Sequence, residues 1–213
     1  MTTPTRTPAQ VWNEMSRGNE RFIAGEPHHP RQDVERRTEL ANAQAPHAAL
    51  FGCSDSRLAA EIIFDKGLGD LFVVRNAGQI ISDSVVGSLE YAVSVLNVPL
   101  ILVLGHDECG AVAAAIASQG AEHPALPPHI ESLIAKIVPA VRRVAGNETG
   151  FVDTTTISST DVGREHLRDT IAELVSSSEL ISEAIAAGTL AVVGANYRLL
   201  EGRAVPDVIV GTV

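Results

Sequence analysis

A chain of 213 residues, 45% hydrophobic and 20% charged, has the material for one large globular domain with a full core. Its formal net charge of -10 and its lack of any compact Lys/Arg cluster set it against phosphate backbones and anionic bilayers, so nucleic acid and membrane are excluded as partners. No apolar run reaches the length of a membrane span, and residues 1–6 place one positive charge before no apolar segment, so no signal peptide is read and the expected compartment is the cytoplasm.

Residues 7–10, Thr-Pro-Ala-Gln, open a first helix: Thr7 as cap, Pro8 in the first turn, Gln10 closing a capping box. Val11, Met15 and Phe22 follow at helical spacing, with Trp12 and Ile23 on the flank, to about Ala24. A Pro-containing linker (25–31) and a polar helix (33–43) complete an N-terminal helical arm, residues 1–45. Some twenty residues separate its first helix from the first strand, which predicts that the arm packs on a neighbouring subunit.

Strands and helices then alternate. Residues 47–51 read as a buried strand, 58–64 as a short helix and 71–74 as a second strand. A helix over 83–97 turns Val85, Leu89, Ala92 and Leu96 to one side, and 100–104 is a third strand. Helices follow over 109–118 and 128–145, the latter kinked or interrupted at Pro139. Residues 146–161 read as loop and 164–175 as an amphipathic helix. Ser176 and Glu179 have capping-box spacing for another helix ending at Gly188, before a fourth strand (190–193) and an edge strand (205–210). The pattern predicts an α/β fold: a mostly parallel central sheet of about four strands plus an edge strand, flanked by helices, in one domain spanning 1–213.

Two segments carry chemistry, and both follow predicted core strands: Cys53-Ser54-Asp55-Ser56-Arg57 and Gly105-His106-Asp107-Glu108-Cys109-Gly110. Ligands of open α/β sheets bind beyond the carboxyl ends of the strands, so the two segments can meet there. Cys53, His106 and Cys109 form a complete protein set for a catalytic zinc, which takes three sulfur or nitrogen ligands and leaves one position for water. Cys109 falls at a helix start, where the dipole favours a thiolate. His28, His29, His47, His123, His129 and His166 lack ligand spacing and are expected to be solvated surface residues. Asp55 and Arg57 lie on one side of an extended segment, where the guanidinium holds the carboxylate ionised; Asp55 either accepts a hydrogen bond from zinc-bound water or swings in as a fourth ligand.

Cys-Ser-Asp-Ser-Arg followed by Gly-His-x-x-Cys-Gly resembles the β-class carbonic anhydrases. The resemblance extends through Gly18–Phe22, Gln44-x-Pro46, Val73–Gly78 and Ser88–Ala92. It implies reversible hydration of carbon dioxide to bicarbonate and a proton, with zinc-bound hydroxide as the nucleophile. It implies one Zn2+ per subunit on Cys53, His106 and Cys109, Asp55 and Arg57 as the catalytic dyad, and a homodimer or homotetramer. Gln44, Phe72 and Tyr91 match positions lining the family's substrate pocket, partly across the dimer interface, and Gly110 is assigned to the pocket with them. Ala77 stands where some members have Val, which widens the apolar wall. Arg75 matches the Arg of a second bicarbonate site found in some members, but Leu50 stands where that site has a Trp. Two thiolates formally cancel the zinc charge, so the pH limb of activity is expected above that of a three-histidine site.

Three other readings compete: a zinc enzyme of the same fold acting on carbon disulfide or carbonyl sulfide, a Cys-His hydrolase, and a binding module without catalysis. The second leaves one cysteine and the Asp-x-Arg pair unused. The third leaves the whole set of Cys53, Asp55, Arg57, His106 and Cys109 unexplained.

Overall fold

The computed structural model describes residues 6–122 and 125–213. Helix α1 (Pro8–Ala24) starts as the sequence predicts, with the Gln10 amide donating to the Thr7 hydroxyl at 3.2 Å and the Thr7 amide donating to the Gln10 side chain at 2.9 Å. Its apolar stripe, Val11 and Met15, is buried against its own chain, so these two side chains do not wait for a neighbouring subunit. Gly18 explains the close approach: a Cβ there would lie 1.9 Å from the Phe64 carbonyl oxygen. Beside it the buried Asn19 donates to the carbonyls of Ile63 and Gly202 and accepts from the Ala204 amide. The next part of the arm is different. Helix α2 (Val34–Glu39), capped by Asp33, and the 3-10 turn Leu40–Asn42 bury no residue.

Five strands form one sheet: β1 (Ala48–Cys53), β2 (Leu71–Asn76), β3 (Leu100–His106), β4 (Ala191–Arg198) and β5 (Arg203–Val210), in the order β2-β1-β3-β4-β5. The first four are parallel, and β5 returns antiparallel to β4 as the edge strand expected. β1 and β3 are buried throughout, which is why they read as unbroken apolar runs rather than alternating ones. Pro206 is tolerated because β5 is an edge, and the register shifts opposite Gly194 and Ala195.

Helices cover both faces. On one, α1 packs with α3 (Ala60–Ile63), α5 (Gly110–Ala117), α6 (Pro128–Ala135) and α7 (Val138–Ala145), around Leu50, Leu102, Leu104 and Val193. On the other, α4 (Asp83–Ser94), α8 (Ser159–Ser177) and α9 (Glu179–Ala186) cover Phe51, Ile101, Val103 and Val192. Pro139 does interrupt its helix. It stands in the first turn of α7, where a missing amide hydrogen costs no helix bond.

Several boundaries differ from expectation, and three of them have a clear local cause. Helix α8 starts at Ser159 rather than at 164, because Ser158 accepts from the Asp161 amide and nucleates the turn earlier. It then runs on to Ser177, so Ser178 rather than Ser176 caps α9, accepting from the Ile181 amide at 3.2 Å. Strand β4 continues past Val193 to Arg198, since pairing with β5 rather than hydrophobicity sets its end.

Candidate metal centre

β1 and β3 are parallel neighbours, so their carboxyl ends emerge together. Cys53 closes β1 and His106 closes β3. Three residues on, Cys109 is the extended cap residue of α5. The ligand atoms of the three, all buried, lie within 4.8 Å of one another. A tetrahedral zinc with ligands at about 2.0–2.3 Å would space them by roughly 3.3–3.8 Å, a small side-chain adjustment away.

The donor chemistry fits such an ion. His106 Nδ1 lies 2.7 Å from the Asp107 carbonyl, to which it must donate. That fixes the tautomer and leaves the Nε2 lone pair buried with no protein partner among the described residues. The Gly78 amide donates to Cys53 Sγ at 3.3 Å. Cys109 is close enough to hydrogen-bond Cys53, and together with the amides of Gly78 and Asp55 it outweighs burial and lowers the Cys53 pKa. Cys109 is pushed upward, first by its hydrogen bond to Cys53 and then by burial, while the Ala111 and Val112 amides at the start of α5 oppose the shift. Two sulfurs this close share a proton readily and release it to a cation.

Beside the triad, Arg57 holds Asp55 with both arms: Nε to Oδ1 at 2.9 Å and Nη2 to Oδ2 at 2.7 Å, with the Arg57 amide on Oδ1 as well. The Arg57 side chain first, then its amide, holds the Asp55 carboxyl well below the usual carboxylate range against a smaller cost of burial. In this arrangement Asp55 rests on Arg57. Arg57 also donates to the Glu108 carbonyl at 3.0 Å, tying the loop after β1 to the loop after β3. Glu108 adopts φ 51, a left-handed backbone held in place by this tie. From the far side Arg75 donates to the carbonyls of Cys53 and Asp55 at 2.8 and 2.6 Å. Asp107 pins its own loop to β4 by accepting from the Leu199 amide at 3.0 Å.

The other residues singled out from sequence divide into two groups. Ala77, exposed next to Gly78, and Gly110, at the start of α5, lie beside the cysteines. Phe72 and Tyr91 contact each other, with ring centroids 6.1 Å apart, but Phe72 packs on the face of the sheet opposite the two cysteines. Gln44 is exposed in the segment before β1.

Of the histidines expected at the surface, His28, His29 and His129 are exposed, and His123 lies outside the described residues. His47 is half-buried and His166 is buried, contrary to expectation. A signal for His166 was present. It lies on the same helical face as Leu167, Thr170, Ile171 and Leu174, all inward-facing in α8. Arg75 as a backbone clamp had no such signal, since its targets are carbonyls.

The layout is that of an α/β fold with a candidate metal site at the carboxyl ends of adjacent parallel strands. The carbonic anhydrase family profile matches residues 48–204, and the chain belongs to the β class of that family, with the activity of a carbonic anhydrase. It is 49% identical to carbonic anhydrase 2 of Mycobacterium tuberculosis over 205 residues, covering 95% of this chain and 94% of the relative. It is 45% identical to a carbonic anhydrase of Mycolicibacterium smegmatis, covering 94% and 93% of the two chains. Among solved structures, the tetrameric β-carbonic anhydrases of Sordaria macrospora superpose with a TM-score of 0.67 at 26% identity, covering 92% of this chain and 96% of theirs. No helix among the described residues is long and apolar enough to cross a membrane.

Proposed function

We propose that this chain hydrates carbon dioxide reversibly to bicarbonate and a proton, with one Zn2+ per subunit held by Cys53, His106 and Cys109. The observation that carries the reading is the bare, buried Nε2 of His106 facing two sulfurs, next to a carboxylate already ionised and oriented. When bound, zinc would supply the charge that lets water act as a nucleophile near neutral pH. The chain's own groups do the rest. Asp55, kept as a carboxylate by Arg57, would accept a hydrogen bond from water at one oxygen and so orient a lone pair toward carbon dioxide. Arg57 fixes the direction of that acceptor and joins the two loops, so a shift of either loop would misalign it. Ala77 and Gly110, both small and exposed, would leave room beside the cysteines for a small uncharged substrate.

A second copy of the chain is part of this reading. Phe72, Tyr91 and Gln44 lie away from the sulfurs of their own subunit, and Tyr91 is 45% exposed. Their placement supports a homo-oligomer, a dimer or tetramer, in which they line the pocket of a partner. The two unpaired cysteines suit a reducing compartment, in keeping with the cytoplasm. Zinc stoichiometry measured together with stopped-flow hydration of carbon dioxide tests the proposal. One zinc per chain with rapid hydration is expected. Turnover of carbon disulfide or carbonyl sulfide in place of carbon dioxide would overturn the substrate, and absence of bound zinc would overturn the centre.

A further inference from the structure

The loop from Asn76 to Ile80 is built with unusual constraint for a segment that holds no proposed metal ligand. The Asn76 side chain closes it from both sides, donating to the Ile80 carbonyl and accepting from the Ile80 amide, each at 2.7 Å. Two successive residues inside it are left-handed, Gly78 at φ 77 and Gln79 at φ 42. For Gln79 that conformation costs about 1–3 kcal/mol and persists only where surrounding contacts enforce it. A side chain at Gly78 is excluded as well, since its Cβ would lie 2.8 Å from Ala111 Cβ in α5. The result of the constraint is one contact: the Gly78 amide aimed at Cys53 Sγ.

The enforcing contacts come from α8, remote in sequence. His166 Nε2 lies 2.7 Å from the Gly78 carbonyl, 88 residues away, and a carbonyl can only accept, so the imidazole donates. Thr170, one turn on, donates to the His166 carbonyl at 2.8 Å and reaches the Gln79 carbonyl at 3.4 Å. His166 is 3% exposed, and its Nδ1 has no protein partner among the described residues. Burial lowers its pKa, consistent with a neutral ring that carries its one hydrogen on Nε2.

We infer that His166 is a positioning residue for the metal centre: it clamps the Gly78–Gln79 turn so that the Gly78 amide stays on the Cys53 sulfur and tempers that ligand's electron donation. A hydrogen bond to a thiolate withdraws charge from sulfur, which both orients the ligand and leaves more positive charge on the ion it holds. The inference rests on the metal-centre reading above. It adds that a residue touching neither ligand nor substrate sets the quality of one ligand.

The test uses the full-length chain loaded with zinc, and with cobalt as a spectroscopic probe. His166→Phe fills the ring's space without a donor, and His166→Gln supplies an N–H without the ring. In the Phe variant, the metal dissociation constant from chelator competition should rise about 10–100-fold, the scale for outer-shell partners of metal ligands. Its sulfur-to-cobalt charge-transfer band should shift from that of the parent. The Gln variant should stay within about threefold of the parent in affinity and keep the parent band. If the Phe variant does not fold, Thr170→Val should give a smaller band shift in the same direction. An unshifted cobalt band and parental affinity in whichever of these two variants folds, or identical shifts in the Phe and Gln variants, would make His166 a packing residue and overturn the inference. A parent chain that takes up neither metal would overturn the metal centre itself, a separate failure.

Discussion

Both ends of the parallel sheet gather polar and ionisable side chains, but the two ends treat them in opposite ways. At the amino end, charge is buried and satisfied within the chain. Asp70 is fully buried, yet receives Arg31 on both oxygens and the Gly67 amide at 2.8 Å. Asp65 receives Arg21 and the amides of His28 and His29. His47, whose Nδ1 has no hydrogen bond among the described residues, still faces the Glu14 carboxylate at 3.8 Å. At the carboxyl end, two sulfurs and an imidazole nitrogen converge on one another, and that nitrogen has no protein partner among the described residues. Burial and charge occur at both ends, so neither marks the reactive one. Convergent lone pairs that the chain leaves unpaired do mark it.

The sharpest way to break the contrast is at the carboxyl end. Cys53→Ser or His106→Ala should take metal content from one per chain to near zero and hydration to the uncatalysed background, read by metal analysis and stopped flow. Next, Asp55→Asn and Arg57→Ala should keep the metal yet lose about a hundredfold or more in turnover, the scale of one lost hydrogen bond to a reacting group. Loss of metal in those two variants would make them structural and move them to the other side of the comparison.

At the amino end the expected losses are in stability. Asp70→Ala removes the acceptor for Arg31 and the Gly67 amide and should cost about 2–3 kcal/mol in urea denaturation, with turnover of the metal-loaded protein unchanged. The same end sets the acid limb of stability. Burial opposes the charge of Asp70, but Arg31 and the Gly67 amide outweigh it, and the pKa stands below the ordinary value. Burial likewise opposes the Asp65 charge and is outweighed by the His28 amide, Arg21 and the His29 amide. Carboxylates with depressed native pKa values contribute fully above the unfolded value of about 3.9, and that contribution disappears as pH falls through the lower native values. Unfolding midpoints measured from pH 7 down to pH 3 should therefore hold level until about pH 4 and then fall. Asp70→Asn should have the shallower fall. The smallest effect belongs to a site outside both ends: Ser178→Ala should cost about 1 kcal/mol by removing the cap of α9.

Much of this was legible in the sequence because it depends on local pattern. Residue type and spacing are enough to mark a capping box at Thr7, apolar runs for strands buried on both faces, a Pro that divides a helix, and the motifs holding Cys53, Asp55, Arg57, His106 and Cys109. What spacing cannot express is which distant backbone atom a side chain will reach. The anchoring of α1 by Asn19, the clamp of Arg75 on two carbonyls and the reach of His166 across 88 residues to Gly78 all end on main-chain groups, which every residue possesses and none advertises. Sequence determined the elements, the order of the chemistry-bearing segments and the identity of the candidate metal-binding set. Tertiary structure decided which buried polar atoms are paired and which are left facing one another, because hydrogen bonding depends on position in space and is settled only when the sheet and its two helical layers close.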